Sequence, residues 1–144
     1  MLQVGFRLTI EGESDTIKLG MENINDVSYR SDTPNDSNAR ATDLSTVLTV
    51  SGKILAAVDG EPDQTKKLSL WSLVNAEKAD AYRNAVLEVI AGDQVVRKVT
   101  FPNSFVVDYT EDFGHTEGVG TFVLVLKQKK DKLPMVAIDG NYAK

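Results

Sequence analysis

The sequence predicts a mostly β protein, a β-sandwich or barrel of about 7–8 antiparallel strands carrying one α-helix. Three observations carry this. Apolar residues recur at every second position in short segments, Gly-, Asp-, Asn- and Ser-rich turns separate those segments, and only one stretch switches to helical spacing. The 144 residues suit a single domain spanning 1–144, since a chain of that length buries roughly 68–70% of its unfolded surface.

The opening segment places Val4, Phe6, Leu8 and Ile10 on one face and Gln3, Arg7, Thr9 and Glu11 on the other, the period of a half-buried strand. A turn at Glu11–Asp15 leads to short strands at Thr16–Leu19 and Ile24–Arg30. Ser31–Asp43 then contains no large apolar side chain and every ingredient of Asx turns, so a long loop over 31–45 is expected. Loops of that length inside a compact domain are generally functional or disordered. Thr46–Leu55 reads as the fourth strand, with Gly52 as a bulge or close-approach point. In Thr65–Asn75 the residues Leu70, Trp71, Leu73 and Val74 recur at helical spacing, with Asp63 or Thr65 available as a cap and Trp71 as a core anchor. Strands follow at Ala85–Ala91, Gln94–Phe101, Phe105–Glu111 and Gly118–Lys127, the first two forming a hairpin across Gly92-Asp93. In the last of these Phe122, Leu124 and Leu126 oppose Thr121, Val123, Val125 and Lys127, so both faces are substantially apolar, as expected of a strand inside a sandwich or of one whose second face meets a partner. A tail over 129–144 contains Met135, Val136 and Ile138, enough to add a further strand.

Composition narrows the chemistry. Hydrophobic residues make up 42% and charged residues 26%, the proportions of a globular protein rather than a disordered one. Without cysteine the chain has no disulfide, thiol nucleophile or thiolate ligand, which fits synthesis in a reducing cytoplasm. Met1–Arg7 lacks the pattern of a signal peptide, and no run approaches the roughly 18 apolar residues of a membrane span, so neither general secretion nor membrane insertion is expected. A formal net charge of −5 argues against nucleic-acid binding, which draws its affinity from Lys and Arg on phosphates.

Catalytic motifs are missing. The single histidine, His115, sits in a Gly-rich turn, away from anything resembling a nucleophile elbow. One His without Cys offers no ordinary zinc site. Asp108 and Glu111 project to opposite faces at strand spacing, which separates the carboxylates of the Asp108, Glu111 and Asp112 cluster. The loop from Asp32 to Asp43 lacks the order of a calcium loop. No metal or other cofactor is therefore expected, and no catalytic residue is assigned. What remains is charge segregation. Acidic residues gather at Glu11, Glu13 and Asp15 and at Asp32, Asp36 and Asp43, whereas Lys127, Lys129, Lys130 and Lys132 form a basic run. That run is read either as a solvated strand end or as a docking surface for acidic loops of another subunit.

The segment Val99-Thr100-Phe101-Pro102-Asn103-Ser104-Phe105-Val106-Val107-Asp108-Tyr109-Thr110-Glu111-Asp112-Phe113, followed by Gly118-Val119-Gly120-Thr121-Phe122-Val123-Leu124, resembles the penultimate strand pair of tube proteins of contractile systems. These are the haemolysin-coregulated protein (Hcp) of type VI secretion and the phage tail tube subunit. The resemblance spans about Leu2–Lys130 through the order of elements. It implies six copies in a ring, rings stacked into a passive conduit inside a sheath, and sheath, baseplate, spike and cargo as partners within a phage-tail-like particle. It makes the loop an arm to a neighbouring subunit, with Asp32, Asn35, Asp36, Ser37, Asn38, Arg40 and Asp43 as interface residues. The helix at Thr65–Asn75 would face outward, and the strands at Thr46–Leu55 and Phe105–Glu111 would line the lumen. Two other classes stay open: a membrane-associated protease, which would need His115, and a monomeric β-sandwich module whose long loop holds a ligand.

Overall fold

A computed structural model describes residues 4–13, 15–32, 45–55, 64–114, 120–128 and 137–140. Its strands are β1 (Val4–Glu11), β2 (Thr16–Leu19), β3 (Ile24–Asp32), β4 (Ser45–Ile54), β5 (Arg83–Ala91), β6 (Gln94–Asp112), β7 (Gly120–Gln128) and β8 (Ala137–Gly140), with α1 at Gln64–Ser72. All belong to one antiparallel sheet in the order β2-β1-β5-β6-β7-β4-β3, with β8 added to β6. The two ends of that path meet through the core. Ile17 and Leu19 of β2, Ile24 of β3, and Leu8, Leu48, Leu87, Phe101, Phe122 and Leu124 from the strands between them form one buried cluster. The sheet thus curls around a single interior, as the sandwich-or-barrel expectation required.

The period-2 segments fold as expected. In β7 Phe122, Leu124 and Leu126 are buried, and in β1 Leu8 and Ile10 are buried, although Val4 at the strand start is exposed. The β5–β6 hairpin turns at Gly92 and Asp93, both with positive φ (56° and 66°), the geometry of a two-residue turn that matches strand twist. Two strand ends differ from expectation: β3 runs on to Asp32 and β4 starts at Ser45, so both termini of the expected 31–45 loop are paired strand.

The largest difference lies at Pro102-Asn103-Ser104. Two strands were expected there, and the structure has one strand of 19 residues. Pro102 has no N–H to offer a ladder, and it falls where the register between β5 and β6 shifts, so no pairing is lost. Asn103 bends the chain with φ 57°, a conformation Asn tolerates better than most residues. The freed carbonyls find side-chain donors: the Ser104 hydroxyl donates to Phe101 O at 3.0 Å, and the Gln128 amide donates to Pro102 O. Beyond the bend β6 passes from β5 to β7, with Ser104 opposite both Arg83 and Gln128. One strand therefore serves both halves of the curled sheet, as corner strands do where a bend or bulge redirects them.

The helix is rotated relative to the sequence reading. Its buried stripe is Thr65, Leu68 and Trp71, spaced i, i+3 and i+6, while Leu70 and Leu73 are 58% and 78% exposed. It ends at Ser72, three residues short of Asn75, where i→i−3 bonds from the N–H groups of Leu73 and Val74 close the last turn. Asp63, one of the two expected caps, lies outside the described residues, and Thr65 is buried within the helix.

Trp71 sets this rotation. Its indole N–H donates to Ala81 O at 3.1 Å, in a short 3-10 turn at Ala79–Ala81, and the Arg83 guanidinium lies 5.2 Å from the ring centroid. Arg83 is only 5% exposed and bonds Asp80 Oδ2 at 2.7 Å, while Asp80 Oδ1 accepts the Glu13 N–H at 3.2 Å. Gly12 completes the clamp, because a Cβ there would lie 2.8 Å from both Arg83 Nε and Asp80 Oδ1. Burial raises the Asp80 pKa, but the hydrogen bonds from Arg83 and Glu13 and the guanidinium charge outweigh it and hold the carboxyl below its ordinary value.

Two predictions follow from these contacts. Asp80→Ala leaves Arg83 buried without its partner and is expected to cost about 2–3 kcal/mol at pH 7 by urea denaturation. Because the folded-state pKa is depressed, this contribution is complete above the unfolded value of about 3.9 and fades as pH falls through the folded value. The gap between the two proteins must therefore narrow below about pH 4, and a gap unchanged at pH 2.5 would refute a carboxylate clamp. Gly52→Ala is expected to cost about 1–3 kcal/mol or more, since its Cβ would overlap the carbonyl oxygen of Asn23, just ahead of the Ile24↔Gly52 pairing where the β3–β4 register is irregular.

Candidate assembly surface

The sheet face away from the core is a lawn of small side chains crossed by charges. Register aligns Ser28, Thr49, Val125 and Asp108 in one row across β3, β4, β7 and β6, and Asp26, Ser51, Val123 and Thr110 in the next. A third row places Lys53, Thr121 and Asp112 side by side. Val123 is 38% exposed, so this strand presents an apolar side chain on its second face. Asp108 and Asp112 lie on this outer face. Glu111 lies on the inner one, where Tyr109 donates to its Oε2 at 2.7 Å and stacks on Phe122. The carboxylate cluster is thus split between faces, as strand spacing predicted.

Of the residues expected at a subunit interface, two lie within the described parts. Asp32 ends β3 opposite Ser45, and Lys127 lies in β7 between Val47 of β4 and Phe105 of β6. Asn35, Asp36, Ser37, Asn38, Arg40, Asp43, Lys129, Lys130 and Lys132 fall outside the described residues, as does His115. The pairings Arg30↔Val47 and Val47↔Lys127 nevertheless bring the two anchors of the long loop and the start of the basic run to the same end of one half-sheet. Ninety-five positions separate Asp32 from Lys127 in the chain (127 − 32), so strand order is what joins them.

One surface feature was not anticipated, and a second was expected without its place. Exposed Leu70 and Leu73 border a shallow groove of about 490 Å³, shared with Val74, Asn75, Lys78 and Asp80. Strand β8 pairs with β6 from Arg97↔Gly140 to Thr100↔Ala137, giving the apolar tail its partner within the chain. Burial alone signals the first, since Leu68 rather than Leu70 satisfies the core. The second had a sequence signal in Ile138 but no indication of which edge it would join.

Among the described residues no group of three or more His, Asp or Glu is placed to hold a metal ion, and no helix is long and apolar enough to cross a membrane. No protein-family model matches the chain, and no curated protein matches it in sequence. Solved structures do match in fold. Hcp1 from Flavobacterium johnsoniae is 17% identical with a TM-score of 0.56, covering 94% of this chain and 96% of its own. A chain of the anti-feeding prophage baseplate, solved by cryo-EM with 6-fold symmetrisation, is 12% identical with a TM-score of 0.56, covering 97% and 95%. A chain of the PVC sheath-tube complex, an extracellular contractile injection system in its extended state, is 13% identical with a TM-score of 0.52, covering 95% and 89%. Over nearly its whole length, the chain has the fold of Hcp and of tube components of contractile injection systems.

Proposed function

We propose that this chain is a structural, non-enzymatic subunit of a hexameric ring that stacks into the inner tube of a phage-tail-like contractile injection or secretion machine. The observation that carries the reading is the end-to-end match to proteins described in a baseplate and in a sheath-tube complex, with neither chain leaving a large part unmatched. Its work is mechanical: a stiff conduit needs lateral and axial contacts rather than an active site, and ring closure protects strand edges that would otherwise pair at random. The partners are further copies of the chain, then sheath, baseplate or spike proteins and cargo. The protein is made in the cytoplasm and ends in the particle.

In this reading β4 and the second half of β6 line the lumen with an outer face on which Thr49, Ser51 and Thr110 stand among Lys53, Asp108 and Asp112. The loop anchors at Asp32 and Ser45 and the basic run beginning at Lys127 share one end of the sheet. In this reading the acidic loop and the basic run meet their counterparts on an adjacent ring or subunit, opposite charges facing one another.

Light scattering followed by electron microscopy tests the reading. Six-fold rings or stacked tubes with a central channel are expected; a strictly monomeric particle at high concentration would overturn it in favour of a binding module. Where Arg40, the one cation in the acidic loop, pairs with a carboxylate across the interface, Arg40→Glu is expected to weaken assembly at least tenfold, about 1.4 kcal/mol per contact, without lowering the melting temperature. Unchanged assembly would remove Arg40 from the interface. Cleavage of an unstructured polypeptide that His115→Ala abolishes would establish the protease alternative instead.

A further inference from the structure

We propose that β8 is an exchangeable strand: in the assembled state, Ala137–Gly140 of one copy completes the β6 edge of a neighbouring copy instead of its own. The assembled state is that of the tube reading, on which this inference rests. Strands β7 and β8 lie along the same edge of β6 and run in the same direction, with Gln128 opposite Ser104 and Ala137 opposite Thr100. Those two points are four β6 residues apart, about 13 Å at strand rise. The eight connecting residues, 129–136, span up to about 27 Å when extended. The connection is therefore about twice as long as pairing within one chain requires, so its length does not tie β8 to the β6 of its own chain.

The register at this edge is defined. Arg7 of β1 pairs with Glu88 of β5 at 3.4 Å, Glu88 is opposite Lys98 of β6, and Lys98 is opposite position 139 of β8. A one-residue slip of β8 would turn the strand's faces over. Among the described residues β8 pairs with no other strand. An exchanged β8 makes the same contacts as a retained one, so local concentration decides which forms. A dilute monomer keeps its own strand. In a ring the neighbour's edge is held nearby, and Arg97–Thr100 left open would be an unpaired template.

The chain has no native cysteine, so the pairing can be read by disulfide trapping at Lys98 and Asp139, which lie directly opposite and within disulfide reach for facing strand residues. Lys98→Cys and Asp139→Cys proteins are mixed, assembled, oxidised and run on a non-reducing gel beside each protein alone, with particle size from light scattering. A cross-linked pair seen only in the mixture is expected, and the double variant should give a ladder when assembled and a self-closed monomer when dilute. The pair Arg97→Cys and Gly140→Cys repeats the test should the first fail to fold. Rings that form without cross-linking overturn the exchange and leave the tube reading standing. Cross-linked dimers with no larger particle overturn the tube reading and leave the exchange standing. A monomer that never cross-links in the mixture overturns both.

Discussion

The structure depends on the continuity of β6. A 19-residue strand spans more than one side of a small curled sheet, so it must bend without losing its ladder, and the bend at Asn103 does this at the boundary between its β5 and β7 partners. Both neighbours take their register from it. The five-residue neighbourhood that permits the bend is chemically specific: a proline that needs no hydrogen bond, a residue tolerant of positive φ, and side chains of Ser104 and Gln128 turned to the freed carbonyls. Straightening it would pull the two halves of the sheet apart and open the core they share.

The second constraint is the buried guanidinium of Arg83. A charge at 5% exposure is tolerable because Asp80 neutralises it, Trp71 offers its ring face, and the Glu13 N–H steadies the carboxylate. This small network joins the β1–β2 turn, the helix and the start of β5. It also turns the helix so that Leu68 and Trp71 face the sheet and Leu70 and Leu73 face outward. The exposed leucines are thus a consequence of where the tryptophan is pinned.

Together these constraints divide the molecule by role. The clamp secures the start of β5, and Ser104 links it to the end of β7, since it lies opposite both Arg83 and Gln128. Beside that point the termini of β3 and β4 carry the anchors of the acidic loop, next to the first lysine of the basic run. Along β6 lies the edge that β8 occupies.

Strand positions were legible in the sequence wherever one face is buried, because alternation at period 2 is a direct imprint of burial: β1, β2 and β7 were recognisable from Leu8, Ile17 and Phe122 and their neighbours. The outward apolar side of β7 was legible for the same reason, as was the absence of thiol chemistry. The acidic loop and basic run were visible as composition, but their proximity was not, since it is created by hydrogen bonding between β4 and β7 across a long stretch of chain. The unity of β6 was hidden because Pro-Asn-Ser is ordinarily turn chemistry, and only the side chain of Gln128, brought in by another strand, helps make it a bend. The helix face was read only in part: Trp71 and Val74 of the expected stripe meet the core, whereas Leu70 and Leu73 face outward and Leu68 is buried, because contacts to Ala81 and Arg83 fix where Trp71 lies. Local periodicity determined the elements of this protein, whereas long-range hydrogen bonds and one buried ion pair decided how they face one another.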